Sequence, residues 1–339
     1  MKHRLFLVAA ALFFSVLLGA GPVREGQTEE RTRPLRLEII GGLAAIQPHD
    51  LNLLADYYNA YPLFFYTRQY DYLRAQYGSL FSYAASRSGD AQLKAVRRGF
   101  PLGIRLRYSF SNALSLSLGL EHLEGNRLSS TSLRYQIEDR SGGLIQTFPR
   151  EFTAGYPDFF LGFSAWIPQA GIHYAKPLGK HWQAVGSLSA GPMLARCRSV
   201  LETDYRYQYA SGYGSENHYL LEMKGTGTGW ALDLSAELRR RLSRRWSFFL
   251  ATGYAWRRAA RIEGAGRSQS LNLDSNAVQD LVENSWQGRW RKKDAFFQRN
   301  WGQFTETYYG NYFSDGEAAD NFVLDLSGVQ LKIGLSWAL

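Results

Sequence analysis

Ionisable side chains at alternate positions are the first feature of this 339-residue sequence that could do chemistry. Arg105 and Arg107, Glu121, Asp233, Glu237 and Arg239, and Lys332 stand in segments whose intervening residues are mostly apolar, and Arg36 and Glu38 have a similar setting. Charges of both signs gathered into one interior would make a neutralising network, an ion path or a set of catalytic carboxylates. A second group is Trp286, Arg289, Trp290, Arg291, Lys292, Lys293, Arg299 and Trp301. It interleaves aromatic rings with cations, which could hold a polyanion's phosphates or the face of a sugar, and which equally suits a loop resting at a headgroup layer.

No nucleophile with its base is legible. His122, His173 and His181 fall near the ends of predicted strands and in no metal-binding or hydrolase motif. No metal, cofactor or enzymatic activity is therefore expected, although a triad brought together from separate strands would leave no linear signature. The glycines of "GTGTG" (225–229) lack the spacing and the strand-to-helix context of a phosphate loop, and they read as small residues on a strand face. Cys197 is the single cysteine, so it makes no intramolecular disulfide or thiolate cluster, and a sheltered thiol is expected.

The elements that must position these residues are strands. Aromatics make up 15% of the chain and accompany 33 Gly, a composition suited to sheets, tight turns and interfacial rings. In "ALSLSLGLEH", Leu114, Leu116, Leu118 and Leu120 share one face and Ser115, Ser117, Gly119 and Glu121 the other. "FPLGIRLRYSF" sets Leu102, Ile104, Leu106, Tyr108 and Phe110 against Arg105 and Arg107, and Ser111-Asn112 joins the two runs as a hairpin. "TGWALDLSAELR" and "WSFFLATGYAWR" repeat the scheme, with weaker runs around "SAWIPQAGIHYAKP" and "HWQAVGSLSAGPMLAR". "LRLEIIGGLAAI" opens the set and "VLDLSGVQLKIGLSWAL" closes it.

These make about eight spans of the length a tilted strand needs to cross a hydrocarbon layer. Short connections at 111–112, 176–181 and 240–245 alternate with long ones at 47–99, 124–160, 199–226 and 263–321. That asymmetry, with both chain ends on the short side, predicts an all-β, antiparallel up-and-down transmembrane barrel with short periplasmic turns and long extracellular loops. Its leucine-aromatic face must meet lipid, so the charged residues named above form a lumen network. In the first long loop, Leu51, Leu54 and Tyr58, and then Tyr66, Tyr70 and Leu73, follow helical spacing on either side of Pro62, predicting one or two short helices at the barrel mouth. Tyr205, Tyr207 and Tyr209 alternate into a turn at "SGYGS", a hairpin whose strand edges could add a partner strand.

Residues 1–21 have a basic start, an apolar stretch and small residues, the three parts of a cleaved secretory signal peptide; 22–33 read as a flexible leader and 34–339 as the barrel. The formal charge is +9, which favours contact with anionic lipid and lipopolysaccharide.

At the end of the chain, "KIGLSWAL" places Lys332, Gly334, Trp337 and Leu339 at a spacing that resembles the C-terminal signal of bacterial outer-membrane barrels. The resemblance implies recognition by the outer-membrane assembly machinery, with Leu339 where such families usually carry Phe. At the level of architecture the chain resembles the small eight-stranded barrels of the OmpA, OmpX and OmpW type, which implies a place in the outer membrane of a Gram-negative cell. The expected function is a structural or surface-interaction barrel, serving adhesion or contact with lipopolysaccharide, with an extracellular protein or glycan as ligand and no nucleic-acid partner. The alternatives are a narrow channel for small or hydrophobic solutes and, third, a membrane-embedded hydrolase.

Overall fold

The computed structural model describes residues 35–56, 58–59, 75, 78–90, 92–139, 149–209, 212–274, 279–292 and 320–339. The segments read as a signal peptide (1–21) and a leader (22–33) lie outside the described residues, as do Pro62, Tyr66, Tyr70 and Leu73.

Its strands are β1 (Leu35–Ile46), β2 (Phe81–Gly89), β3 (Arg98–Ser109), β4 (Leu114–Asp139), β5 (Pro149–Pro177), β6 (Trp182–Tyr209), β7 (Gly214–Arg241) and β8 (Trp246–Asp274). There follow β9 (Gln279–Arg289), β10 (Arg291–Lys292), β11 (Asp320–Asn321), β12 (Val323–Asp325) and β13 (Gly328–Ala338). Eight of them close a ring in the order β1-β3-β4-β5-β6-β7-β8-β13, every neighbour antiparallel. Closure runs from Arg36 opposite Ala338 to Ile46 opposite Gly328. Within the ring no strand edge is left to meet lipid, as hydrocarbon demands. The short turns need little chain: Ser111 Oγ accepts from Leu114 N at 3.0 Å, and Ser243 Oγ does the same for Trp246 N at 3.1 Å.

The lipid-facing surface is read directly from exposure. Leu118 is 67% exposed and Trp230 65%, values that water would punish and hydrocarbon rewards. Aromatic side chains mark both borders of this belt, Phe100, Trp166, Trp230 and Trp256 above, Tyr108, Phe110, Trp182, Trp246 and Trp337 below. Trp246 and Trp337 stack with centroids 6.0 Å apart across the β8–β13 pair.

The long connections are themselves largely strand. β6 has 28 residues, and about 15 of them continue beyond Leu194, roughly 50 Å of extended chain above the apolar belt. β2 adds to β4 and β9 to β8 in this upper region, so the ring rises into an open wall ordered β2-β4-β5-β6-β7-β8-β9. Along this wall the two faces exchange chemistry without exchanging direction. Inward on β4 come Ser115, Ser117 and Glu121, then Leu123, Leu133 and Tyr135; outward come Leu116, Leu118 and Leu120, then Glu124, Asn126, Arg134 and Gln136. Hydrocarbon surrounds the lower half and water the upper, so each half presents the face its surroundings solvate.

The upper interior is consequently an apolar core. Helix α1, which begins at residue 49 and is described to 59 apart from residue 57, sends Leu51, Leu54 and Tyr58 into it, and Tyr58 meets the rings of Tyr156 and Phe159 at 6.2 and 6.0 Å. Asn52 exchanges two hydrogen bonds with the backbone of Val96, each 2.9 Å, and Asn59 exchanges two with Leu93. Asp50 Oδ2 accepts from Val323 N at 2.9 Å. These bonds fix the helix across the mouth as a stopper.

Cys197 is buried in this core, above Leu194, and burial pushes its thiol up to about 12. Maleimide labelling is expected to fail on the folded barrel at neutral pH and to go to completion after denaturation; rapid labelling of the folded form would contradict this packing.

Candidate functional site

The charged residues read from the sequence as a lumen set come together in two tiers. In the lower tier Glu38, fully buried on β1, accepts from Arg105 Nε and Arg239 Nη2, both at 2.5 Å. Glu237 Oε1 accepts from Arg239 Nε at 2.8 Å, and Glu237 Oε2 accepts from Arg105 Nη2 at 3.3 Å. Arg107 donates from Nε to Ser115 at 2.7 Å, while its Nη1 stands 3.7 and 3.9 Å from Glu237 and Glu38. Arg36 reaches Ser247 at 3.2 Å. Phe249 lies among these cations, with the Arg239 and Arg105 guanidinium carbons 5.0 and 5.6 Å from its ring centroid. Gly334 makes room for that ring: a Cβ there would meet Phe249 Cζ at 2.2 Å.

The upper tier is centred on Arg257, which sequence reading missed. Its Nη2 donates to Glu121 Oε1 at 2.7 Å, Asp233 Oδ2 at 2.8 Å and Gln330 Oε1 at 3.2 Å, and the residue is fully buried. Lys332 bonds Glu121 and lies 3.5 Å from Asp233, to which Gln169 also donates at 3.2 Å. Arg257 is the last residue of the run "WSFFLATGYAWR", inward on β8, and following the face opposite Trp246, Phe248 and Trp256 to its end would have found it. The void left between these tiers is ≈ 40 Å³, lined by Arg105, Glu121, Asp233, Glu237 and Lys332 among others. On this measure one water needs about 10–15 Å³, so the void has room for a few waters.

The histidines divide differently. Ser117 Oγ lies 2.7 Å from His173 Nε2, a nucleophile-and-base spacing. Both are buried in the lumen, and His173 Nδ1 has no hydrogen-bond partner to orient the ring. Among the described residues no third group orients the pair. His122 sits on the lipid-side border against Trp166, centroids 4.5 Å apart, and His181 belongs to the β5–β6 turn.

Trp290 must be removed from the polyanion or sugar group. Its side chain is fully buried in the upper core, edge-on to Phe322 at 5.1 Å, because its position follows β9 inward. Arg289 lies partly exposed, 3.9 Å from Glu263; Arg291 and Lys292 pair with Asn321 and Asp320 through β10 and β11; the Trp286 backbone pairs with Gly266. Lys293, Arg299 and Trp301 lie outside the described residues. The four residues of the C-terminal pattern divide between faces, Lys332 and Gly334 inward, Trp337 and Leu339 outward.

The β6–β7 hairpin offers no free edge, which corrects the expectation placed on it. β6 pairs with β5 as far as Tyr209, and β7 pairs with β8 as far as Asp274. Tyr205 and Tyr207 turn inward onto Phe152, with centroids 5.9 and 4.9 Å away. The opposite face of the same strands builds a concave outer surface of ≈ 820 Å³ that reaches from Ser88 on β2 to Leu273 on β8. Its floor is polar and preorganised: Arg206 Nε donates to Glu216 at 2.7 Å, and His218 Nδ1 lies 2.5 Å from Asp204. Ser132, Thr153 and Gln208 add uncharged hydrogen-bonding groups. The bulges at Ser129/Thr131 and Gly155/Phe159 bend the wall here.

The sequence matches no protein-family profile and no curated relative. Among solved structures it is similar to the outer membrane protein OprG from Pseudomonas aeruginosa, with 12% identity over 90% of this chain and 96% of that one and a TM-score of 0.31. The outer membrane protease OmpT from Escherichia coli gives 8% identity over 91% and 98%, with a TM-score of 0.25. The translocator domain of autotransporter NalP from Neisseria meningitidis gives 10% over 98% and 97%, with a TM-score of 0.20. The chain's own closed ring, hydrocarbon-facing belt and one-sided short turns make it an integral outer-membrane β-barrel.

Proposed function

We propose that this barrel is a sealed surface platform whose working part is the extracellular wall, engaging a polar ligand such as a glycan, or a hydrophilic protein surface, on the concave face between β2 and β8. The observation that carries this reading is the closed lumen. Two tiers of paired charges leave a void of ≈ 40 Å³, and an apolar stopper lies above them. A conduit would have to part buried ion pairs at a cost of several kcal/mol each and then cross an oily plug. The concave face, in contrast, is already built, and its side chains are held by ion pairs within the wall.

Two measurements test it. Purified barrel in planar bilayers is expected to give no stepwise conductance, and liposomes carrying it should not swell in small sugars. Reproducible open-channel steps would defeat the sealed reading. Cells displaying the chain should bind a glycan or protein partner that a D204A/R206A/E216A variant no longer retains at equal surface level.

A further inference from the structure

A second concave surface lies lower on the outer wall, where the apolar belt gives way to water. It encloses ≈ 410 Å³ and is lined by Glu124, Phe160, Gly162, Arg196, Arg198 and Lys224 among others. The register sets it directly above the hydrocarbon wall. On β6 the outward residues run Leu194, Arg196, Arg198; the neighbours of Arg196 and Arg198 are Ser164 and Gly162 on β5 and Thr226 and Lys224 on β7. Trp166 sits one step lower on β5 and Trp230 two steps lower on β7, both extensively exposed in the belt.

The cations here are presented rather than neutralised. Glu222 alone receives Arg198 at 2.9 Å, Lys224 at 3.0 Å and Arg267 at 2.9 Å. One carboxylate aligns three positive groups and leaves an excess of positive charge, while Arg198 and Lys224 keep more than half of their side-chain surface open. Arg196 is exposed and makes no ion pair among the described residues. Arg198 also lies over the Phe160 ring at 5.8 Å, which holds the guanidinium in place. Gly162 forms the floor beside Phe160, where a Cβ would meet the ring at 2.7 Å.

A ligand matching this surface carries phosphate at the height of the cations and acyl chains below, along Leu118, Leu120 and Leu194. The geometry points to a lipopolysaccharide site in which Arg196, Arg198 and Lys224 bind a lipid A phosphate above the belt. This rests on the reading of the chain as an outer-membrane barrel and not on the ligand of the upper wall. Lipopolysaccharide is chosen over glycerophospholipid because the cations fan across two strands, with Arg267 extending them to a third, a breadth suited to a headgroup with more than one phosphate.

The test uses the full mature chain refolded in detergent and deep-rough lipopolysaccharide as probe, with binding followed by native mass spectrometry and titration. R196Q/R198Q/K224Q is expected to weaken binding about tenfold or more, as loss of several charge-assisted contacts requires. R244Q/R245Q, on the periplasmic turn, should bind as the parent does. Dephosphorylated lipopolysaccharide should bind parent and triple variant alike. Should the triple variant fold poorly, as judged by its heat-dependent gel mobility, G162W fills the groove while keeping every charge and should weaken binding too. Unchanged lipopolysaccharide affinity in correctly folded variants would overturn the site. Equal loss for phosphatidylglycerol vesicles would show a general phospholipid contact, and full competition by inorganic phosphate a simple anion site, and either result overturns the assignment to lipopolysaccharide. A chain that stays folded and monodisperse without detergent would instead defeat the outer-membrane reading itself.

Discussion

Arg257→Met is expected to cost the folded barrel about 3–5 kcal/mol, the penalty for leaving buried charges without their partner. Among the described residues Arg257 is the one group that bridges Glu121, Asp233 and Gln330, and all of it is buried. Methionine fills much of the same volume but returns none of the three hydrogen bonds, so Lys332 alone is left facing two carboxylates. The midpoint of urea unfolding, read from the gel mobility of unheated samples, should fall accordingly. Neutralising one acid in the same chain, D233N/R257M, should recover most of the loss, because Lys332 then stays paired with Glu121 and no buried carboxylate is left in excess. A single variant as stable as the parent would mean that water reaches this tier and that the lumen is not sealed at it. The same result would weaken the platform reading, since the closure of the bore depends on this tier.

The lower half of the barrel was legible because one physical rule governs it from end to end. With hydrocarbon outside, every second residue must be apolar, and Leu114 to Leu120 or Leu331 to Leu335 announce this without help from context. The same rule sorted Glu38, Arg105, Asp233, Glu237 and Lys332 to the inside. Reading stopped at about residue 124 on β4 because the outward side chains there become Glu124, Asn126 and Arg134, so the pattern being followed vanished although the strand did not. Past that height the rule reverses, and what looked like long loops is a wall of strands with an apolar inner face. Trp290 was misplaced for that reason: among Arg289, Arg291 and Lys292 it reads as an interfacial ring, and only its attachment to Ile262 on β8 shows that the indole enters the core. Asp204 with His218 and Arg206 with Glu216 are cross-strand partners, visible only once the β6–β7 register is known. The helical spacing of Leu51, Leu54 and Tyr58 was legible, but its role as a stopper depends on Asn52 and Asn59 meeting a segment more than thirty residues away.

Trp290→Ala is expected to loosen the extracellular core by about 3–5 kcal/mol, the range for removing a fully buried large aromatic side chain. The indole is seated by glycines on the two strands beside it. A Cβ at Gly225 would meet Trp290 Cε2 at 3.0 Å and one at Gly264 would meet Trp290 Nε1 at 2.7 Å, so the first glycine of "GTGTG" is room made for this ring. Trp290 N donates to Ile262 O at 2.8 Å, and Phe322 N donates to Trp290 O at 3.3 Å, which ties the segment leading to β12 against β8. Emptying the seat removes the packing that holds Phe322 and Leu324 in the mouth, whereas the charge tiers below touch none of these atoms. The expected outcome is therefore split. Limited proteolysis of the folded variant should cut near 279–292 and 320–327 at sites the parent protects, while the urea midpoint of the membrane barrel changes little. Gly264→Val should give the same pattern, because its side chain would collide with Lys224 O and displace the indole. If both variants keep the parent's protease pattern, the upper core does not depend on this ring. If the urea midpoint falls as far as protection does, wall and barrel unfold as one unit, and the extracellular wall could not yield or rearrange around a ligand without straining the sealed lumen beneath it.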